Sequence, residues 1–230
     1  MEFKHAGPDK LRLGIVAAKG IISAAQLPEI DSALETRIQS LKNGLSAEED
    51  LYRTKVRDIF RNGSYKPTGR GKPASEYLLR TAIEGDFPRI NAPVDICNLL
   101  SLCSLFPISI WDIQKAPSLS FIFRLGAEEE SYIFNSAGHS IDLHDLIVGC
   151  AVGSQGESVP LVNAIKDSMG TKTDSSTLDI AVVIYAPLEE GPTFSLEATC
   201  KEFVRLLRAT GNKVAADYRI IRKGDVVEIF

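Results

Sequence analysis

The sequence is poor in the residues that build metal and redox sites. Its four cysteines, Cys97, Cys103, Cys150 and Cys200, include no Cys-x-x-Cys pair. That removes the spacing of a structural zinc site or a dithiol redox motif and leaves buried free thiols as the expectation. Histidine is scarce as well. His139 and His144 lie near Asp142 and Asp145, but a separation of five residues suits neither one helical face nor one strand face, so neither a metal nor a cofactor is expected. No apolar run approaches the ~18 residues of a membrane span, and the start lacks a charged segment leading into an apolar one. A cytoplasmic protein with no membrane partner is therefore expected. The absence of repeats and low-complexity tracts favours one domain over residues 1–230.

The chain does have an ordinary globular composition, 44% hydrophobic and 24% charged over 230 residues, enough to bury a core. Its formal net charge of −4 hides a local excess of the other sign. From Arg53 to Arg80, eight basic residues (Arg53, Lys55, Arg57, Arg61, Lys66, Arg70, Lys72, Arg80) face only Asp58 and Glu76. A positive patch on an acidic chain suits an anionic ligand such as a phosphate backbone, without general adhesion to nucleic acid.

Hydrophobic periodicity predicts a strand over Leu11 to Ala18, ended by Gly20, and a helix from Pro28 to about Lys42. Ser46 and Glu49 form a capping-box pattern that starts a second helix ending at Asn62-Gly63, and the two helices read as an antiparallel hairpin. Helices follow over Ala74 to Glu84 and Val94 to Leu105, the second capped by Asn91 with Pro93 in its first turn. Strands are expected at Ile108 to Asp112, Leu119 to Leu125, Ser131 to Phe134 and Ile180 to Tyr185. Thr193 to Thr210 reads as a helix with Leu196, Cys200, Phe203, Val204 and Leu207 inward, followed by strands at Val214 to Ile221 and Val226 to Phe230. These strands and helices read as the sheet and helix layers of one domain.

The stretch from Lys66 to Asp112 is the candidate site, a rigid shelf with a charged lip. In the loop from Ser64 to Pro73, two prolines limit the backbone while Gly69 and Gly71 allow close approach to a ligand. Lys66, Arg70 and Lys72 supply charge and donors there, and Thr68 a hydroxyl. The loop lacks the Gly-Lys-Ser/Thr ending of a mononucleotide-binding loop. Glu76, in the first helical turn, suits a helix-dipole or capping role as well as it suits a ligand contact. Asp95 and Asn98, polar on an apolar helix, either fix the Arg89-Ile90-Asn91 approach or line a cavity. Asp167, Lys172 and Asp174 sit in a polar loop that either closes over the shelf or is an ordinary solvated connection.

Pro88-Arg89-Ile90-Asn91, Val94-Asp95-Ile96-Cys97-Asn98 and Pro107-Ile108-Ser109-Ile110-Trp111-Asp112 carry a resemblance. Together they resemble the B3/B4 domain of the phenylalanyl-tRNA synthetase β subunit, over about residues 60–187. Lys66-Pro67-Thr68-Gly69-Arg70-Gly71-Lys72-Pro73 is similar to stand-alone members of that domain family. On this resemblance, Asp145-Leu146-Ile147-Val148 stands where that family has a strand, and the strand and helical hairpin of 1–62 and the helix-strand-strand of 188–230 complete one B3/B4-like domain. The resemblance implies a compact α+β domain, with mixed or antiparallel β layers packed with helices, whose synthetase version hydrolyses tyrosyl-tRNA mischarged on the phenylalanine tRNA. Here Ser109 stands where that family has a histidine and Cys97 where it has a threonine, and the strand that carries the family's pocket glutamate is apolar around Val183. Recognition and cleavage of tyrosyl-tRNA are therefore not expected. Three functions remain: an RNA-binding module for tRNA or an aminoacyl-tRNA end, a trans-acting aminoacyl-tRNA deacylase with a different pocket, or a binder of a small anionic metabolite. The candidate contacts are Lys66, Thr68, Arg70, Lys72, Glu76, Arg89, Asn91, Asn98 and Ser109, with Glu76 and Ser109 the only catalytic candidates.

Overall fold

Burial on both faces singles out two strands as the centre of the molecule. A computed structural model describes residues 1–85, 87–191 and 195–230. In chain order the elements are β1 (Glu2–His5), β2 (Leu11–Lys19), α1 (Pro28–Ser40), α2 (Ala47–Asp58), α3 (Ala74–Glu84), α4 (Ala92–Ser104), β3 (Ile108–Asp112), β4 (Ser120–Leu125), β5 (Ser131–Ile133), β6 (Ser140–Asp142), β7 (Ile147–Val152), β8 (Ser158–Asn163), β9 (Ile180–Pro187), α5 (Leu196–Ala209), β10 (Ala215–Ile221) and β11 (Val226–Glu228). The four-stranded sheet β10-β2-β9-β3 is antiparallel throughout. In the five-stranded sheet β11-β1-β4-β7-β8, only the β1–β4 pair is parallel.

Strand alternation sends β2 and β9 side chains into two cores. Leu11, Leu13, Ile15, Val183 and Tyr185 pack between the two sheets with Phe3, Trp111, Phe121 and Phe123. Val16, Ala18, Ile180, Val182 and Ile184 meet the helices instead, through Leu34, Ile96, Leu100, Phe203 and Leu207. A strand covered on both faces reads as a continuous apolar run, which is the pattern of both. The architecture is thus α+β: sheet, sheet and helices in layers, with antiparallel pairing dominant. The inward set of α5 is as its periodicity predicts, and Ser195 caps it by accepting from Ala198 N. Thr193, the expected start of that helix, lies outside the described residues.

Helix α5 crosses β2 at Gly14, where an added Cβ would lie 2.5 Å from Cys200 Sγ and 2.9 Å from Leu196 Cδ1. Gly14→Ala is expected to destabilise the fold by about 1–3 kcal/mol through overpacking, measured by urea denaturation.

Three expectations need correction, and two strands were not expected. Helices α1 and α2 do not pack as a hairpin: α1 lies on α4 and joins α2 through the Arg37–Glu49 ion pair at 2.8 Å. Helix α2 stops at Asp58 rather than at Asn62-Gly63, because Ile59 and Phe60 turn into the inter-sheet core, Phe60 edge-on to Tyr185. The strand expected from Asp145 begins at Ile147, since Asp145 has φ 62° and its carboxylate accepts from Ser64 N and Oγ. Strands β1 and β8 escape the sequence pattern. The first is only four residues long, and the second contains Pro160, tolerated because β8 is an edge strand.

Candidate binding cleft

The loop before α3 is held by its own hydrogen bonds. Thr68 N donates to Lys66 O at 2.8 Å and Gly71 N to Thr68 O at 2.9 Å. Gly69 has φ 55°, a left-handed conformation that suits glycine, and the Tyr65 hydroxyl donates to Gly71 O against a glycine face with no room for a side chain. Tyr77 of α3 donates its hydroxyl to Arg70 O at 3.1 Å, and Ala74 N reaches across to Ala164 O at 2.8 Å. The last bond joins the loop to the segment that follows β8.

That segment turns on Asn163, whose Oδ1 accepts from Ile165 N at 2.7 Å and Lys166 N at 2.9 Å while its amide donates to the Tyr132 hydroxyl at 2.6 Å. Tyr132 in turn donates to Lys166 O at 2.7 Å. Between the two segments lies a cleft of about 1000 Å³. Its floor is largely apolar, made by Cys97 of α4, Ile108 and Ile110 of β3, and Ile165, with Asn98 and Asp167 the polar groups beside them. Its rim carries Gly69, Arg70, Lys72, Tyr77, Arg80 and Lys166.

Most of the basic run is neutralised. Arg53 Nη1 donates to Glu76 Oε2 at 2.7 Å, and Arg57 grips the same carboxylate through Nε and Nη2. Glu76 is left only 8% exposed, and the pairing raises Arg57 above its ordinary value. Lys55 pairs with Glu189 and Arg61 with Asp58, while Arg80 lies 3.9 Å from Glu84. Among the described residues, Lys66, Arg70 and Lys72 enter no ion pair. Lys66 and Arg70 are exposed and Lys72 is half-buried.

The candidate residues therefore divide. Arg70, Lys72, Glu76 and Asn98 line the cleft, and Lys66 and Thr68 stand exposed on the same loop. Arg89 and Asn91 instead line a second hollow of about 600 Å³ beside the start of α1. There Arg89 pairs with Asp31 and, at 3.0 Å, with Asp95, whose other oxygen accepts from Ile90 N at 2.9 Å. Asn91 Oδ1 caps α4 by accepting from Val94 N at 3.1 Å. Asp95 fixes this approach to the helix, one of the two roles that its place in the sequence offered.

Ser109 lies on the opposite face of β3 from Ile108 and Ile110. It is 1% exposed and donates its hydroxyl to Asn163 O at 2.9 Å. No histidine lines the cleft. Burial pushes the Cys97 thiol well above its usual range, which makes it a packing group rather than a nucleophile. Among the described residues, no three His, Cys, Asp or Glu side chains come together to hold a metal. No helix among them is long and apolar enough to cross a membrane.

One cleft residue belongs to the polar loop and was not among the candidate contacts. Asp167 Oδ2 accepts from Ile110 N at 3.3 Å, which sets the carboxyl against the floor strand. The residue is half-buried, but its Oδ1 is enclosed and has no hydrogen-bond partner among the described residues. Burial pushes this carboxyl up to about 7, against the opposing pull of the Ser109 hydroxyl and the Ile110 amide.

No protein-family model and no curated protein matches the chain. Among solved structures, it is similar to an N-terminal fragment of the phenylalanyl-tRNA synthetase β subunit from Pyrococcus horikoshii, at 10% identity and a TM-score of 0.39. The similarity covers 95% of this chain and 50% of the fragment, so the chain spans about half the fragment's length.

Proposed function

We propose that this chain is an RNA-binding module, a single B3/B4-like domain over residues 1–230, whose cleft receives an aminoacylated RNA end. Phosphates sit at the Lys66, Arg70 and Lys72 lip, and the aminoacyl group lies over Cys97, Ile108, Ile110 and Ile165. The observation that carries this reading is a hydrogen-bonded loop whose three cations enter no ion pair among the described residues, two of them, Arg70 and Lys72, lining a largely apolar-floored cleft. The resemblance of the Pro88 to Asn98 and Pro107 to Asp112 motifs to the B3/B4 domain supports the choice of RNA. Binding is preferred to hydrolysis because Glu76 is held by two guanidiniums and Ser109 lies outside the cleft, so neither is placed to activate water.

Replacing Lys66, Arg70 and Lys72 together with Ala is expected to weaken tRNA binding and flatten its salt dependence by up to about three units of slope, one for each lost phosphate contact. A gel-shift titration at several salt concentrations measures it. Unchanged binding by a folded triple variant overturns the proposal. A second reading, a small anionic metabolite, is favoured by the confinement of unpaired cations within the basic run to one cleft mouth. Saturable binding of inorganic pyrophosphate without any shift of tRNA would select it.

A further inference from the structure

We propose that Asp167 is the recognition group for a protonated amine, so that the cleft selects ligands bearing a primary amine at one end and a phosphate at the other, with an apolar body between. The inference rests on the preceding placement of phosphate at the Arg70 and Lys72 rim, and adds the group that the opposite end of the ligand must carry.

The chemistry of the cleft is asymmetric. Its only polar floor groups are the Asn98 carboxamide and the Asp167 carboxyl, while its cations stand at the rim. Asp167 is the least satisfied of the enclosed acids among the described residues: Asp95 is held by Arg89 and the Ile90 amide, and Asp112 accepts from Gln114 N and Thr177 Oγ1. Glu76 has two guanidinium partners, whereas Asp167 has one backbone amide at 3.3 Å and an oxygen with no partner. A carboxylate accepts up to four hydrogen bonds, and leaving such capacity empty in an enclosed place is unfavourable unless something else supplies a donor.

The neighbouring amines are committed elsewhere. Lys172 Nζ donates to Phe134 O at 2.8 Å and Lys166 Nζ lies 3.8 Å from the centre of the Phe134 ring. Among the described residues, no cation forms an ion pair with Asp167. The groups facing it from the surrounding elements are Cys97 of α4, Tyr132 of β5, Tyr185 of β9 and Ser109 of β3, and the one cation whose charge reaches it is Lys172, which acts at a distance without forming an ion pair. A ligand ammonium meeting the carboxyl from the cleft, with the side chain turning to bring its enclosed Oδ1 outward, would supply the missing partner and would hold the carboxyl ionised. Lining by apolar side chains strengthens such a pair relative to water. Because burial holds the empty carboxyl near neutrality, it ionises at little expense when an amine arrives.

The test uses 3′-deoxy-3′-(phenylalanylamino)adenosine 5′-monophosphate, whose amide does not hydrolyse, alongside its N-acetyl derivative, by calorimetric titration at pH 7. The amine probe is expected to bind roughly 10- to 100-fold more tightly than the acetylated one, the range for a charge-assisted hydrogen bond. Asp167→Asn, checked for folding by circular dichroism, should erase that preference by weakening only the amine probe. Arg70→Ala with Lys72→Ala should weaken both probes alike. Equal affinity of the two probes for the unaltered protein, or a preference that survives Asp167→Asn, overturns the role of Asp167 and leaves the phosphate placement standing. If neither probe binds, or binding ignores Arg70 and Lys72, the cleft reading falls and this inference with it.

Discussion

Glu76→Gln is expected to lower the stability of the protein by about 2–3 kcal/mol, less than the ~3–5 of a fully buried pair because Arg53 and Arg57 keep some contact with water. The carboxylate is 8% exposed against 21% and 19% for the two arginines, and it is the electrostatic tie between α2 and α3. The substitution leaves two guanidiniums facing each other across a neutral amide. Urea denaturation measures the loss, and a change below ~0.5 kcal/mol would place the cluster with surface pairs, which contribute little. Since α3 begins two residues after Lys72 and carries Tyr77 and Arg80 at the rim, its anchorage also positions the lip.

Asp167→Asn should have the opposite sign, and only in one pH range. An acid whose folded pKa lies near 7 rather than at the ordinary 3.8 retains a proton that the unfolded chain has released. Stability therefore falls as pH rises from about 4 to about 7, and the loss is complete above that. At ~1.4 kcal/mol per pKa unit the shift corresponds to as much as roughly 4 kcal/mol. The variant lacks the titration, so it should match the unaltered protein at pH 4 and exceed it at pH 8. Thermal unfolding at the two pH values checks this. A variant no more stable at pH 8 than the unaltered protein would mean that the carboxyl is ionised without penalty, through solvation or pairing.

The parts of the site that were legible in the sequence are those set by local chemistry. The Asn91 cap, the Ser46–Glu49 capping box and the glycine-bearing loop depend on residues within a few positions of one another, and each forms as its pattern implies. The role of Asp95 followed from an acid on an apolar helix needing a partner, which Arg89 and the Ile90 amide provide. The partners of Glu76 were not legible, because they lie 19 and 23 positions away on another helix. Asp167 was legible only as part of a polar loop that either closes over the shelf or is a solvated connection, because its contact with β3 depends on the Asn163 turn and the distant pairing of β7 with β8. Ser109 could have been placed better from sequence, since strand alternation puts it on the face opposite Ile108 and Ile110. The missed strand β8 cost most, because without it nothing carries residues 163–167 to the cleft.

The central claim concerns where an RNA end sits, and photo-crosslinking tests it most directly. A tRNA carrying a photoreactive 3′-terminal adenosine is irradiated with the unaltered protein, and the attached peptides are identified by mass spectrometry. Attachment is expected within 69–80 and 165–167, the rim and the Asp167 segment, and should disappear when Arg70 and Lys72 are replaced by Ala. Attachment concentrated instead around Arg89 and Asn91, or unaffected by the loss of Arg70 and Lys72, would contradict it.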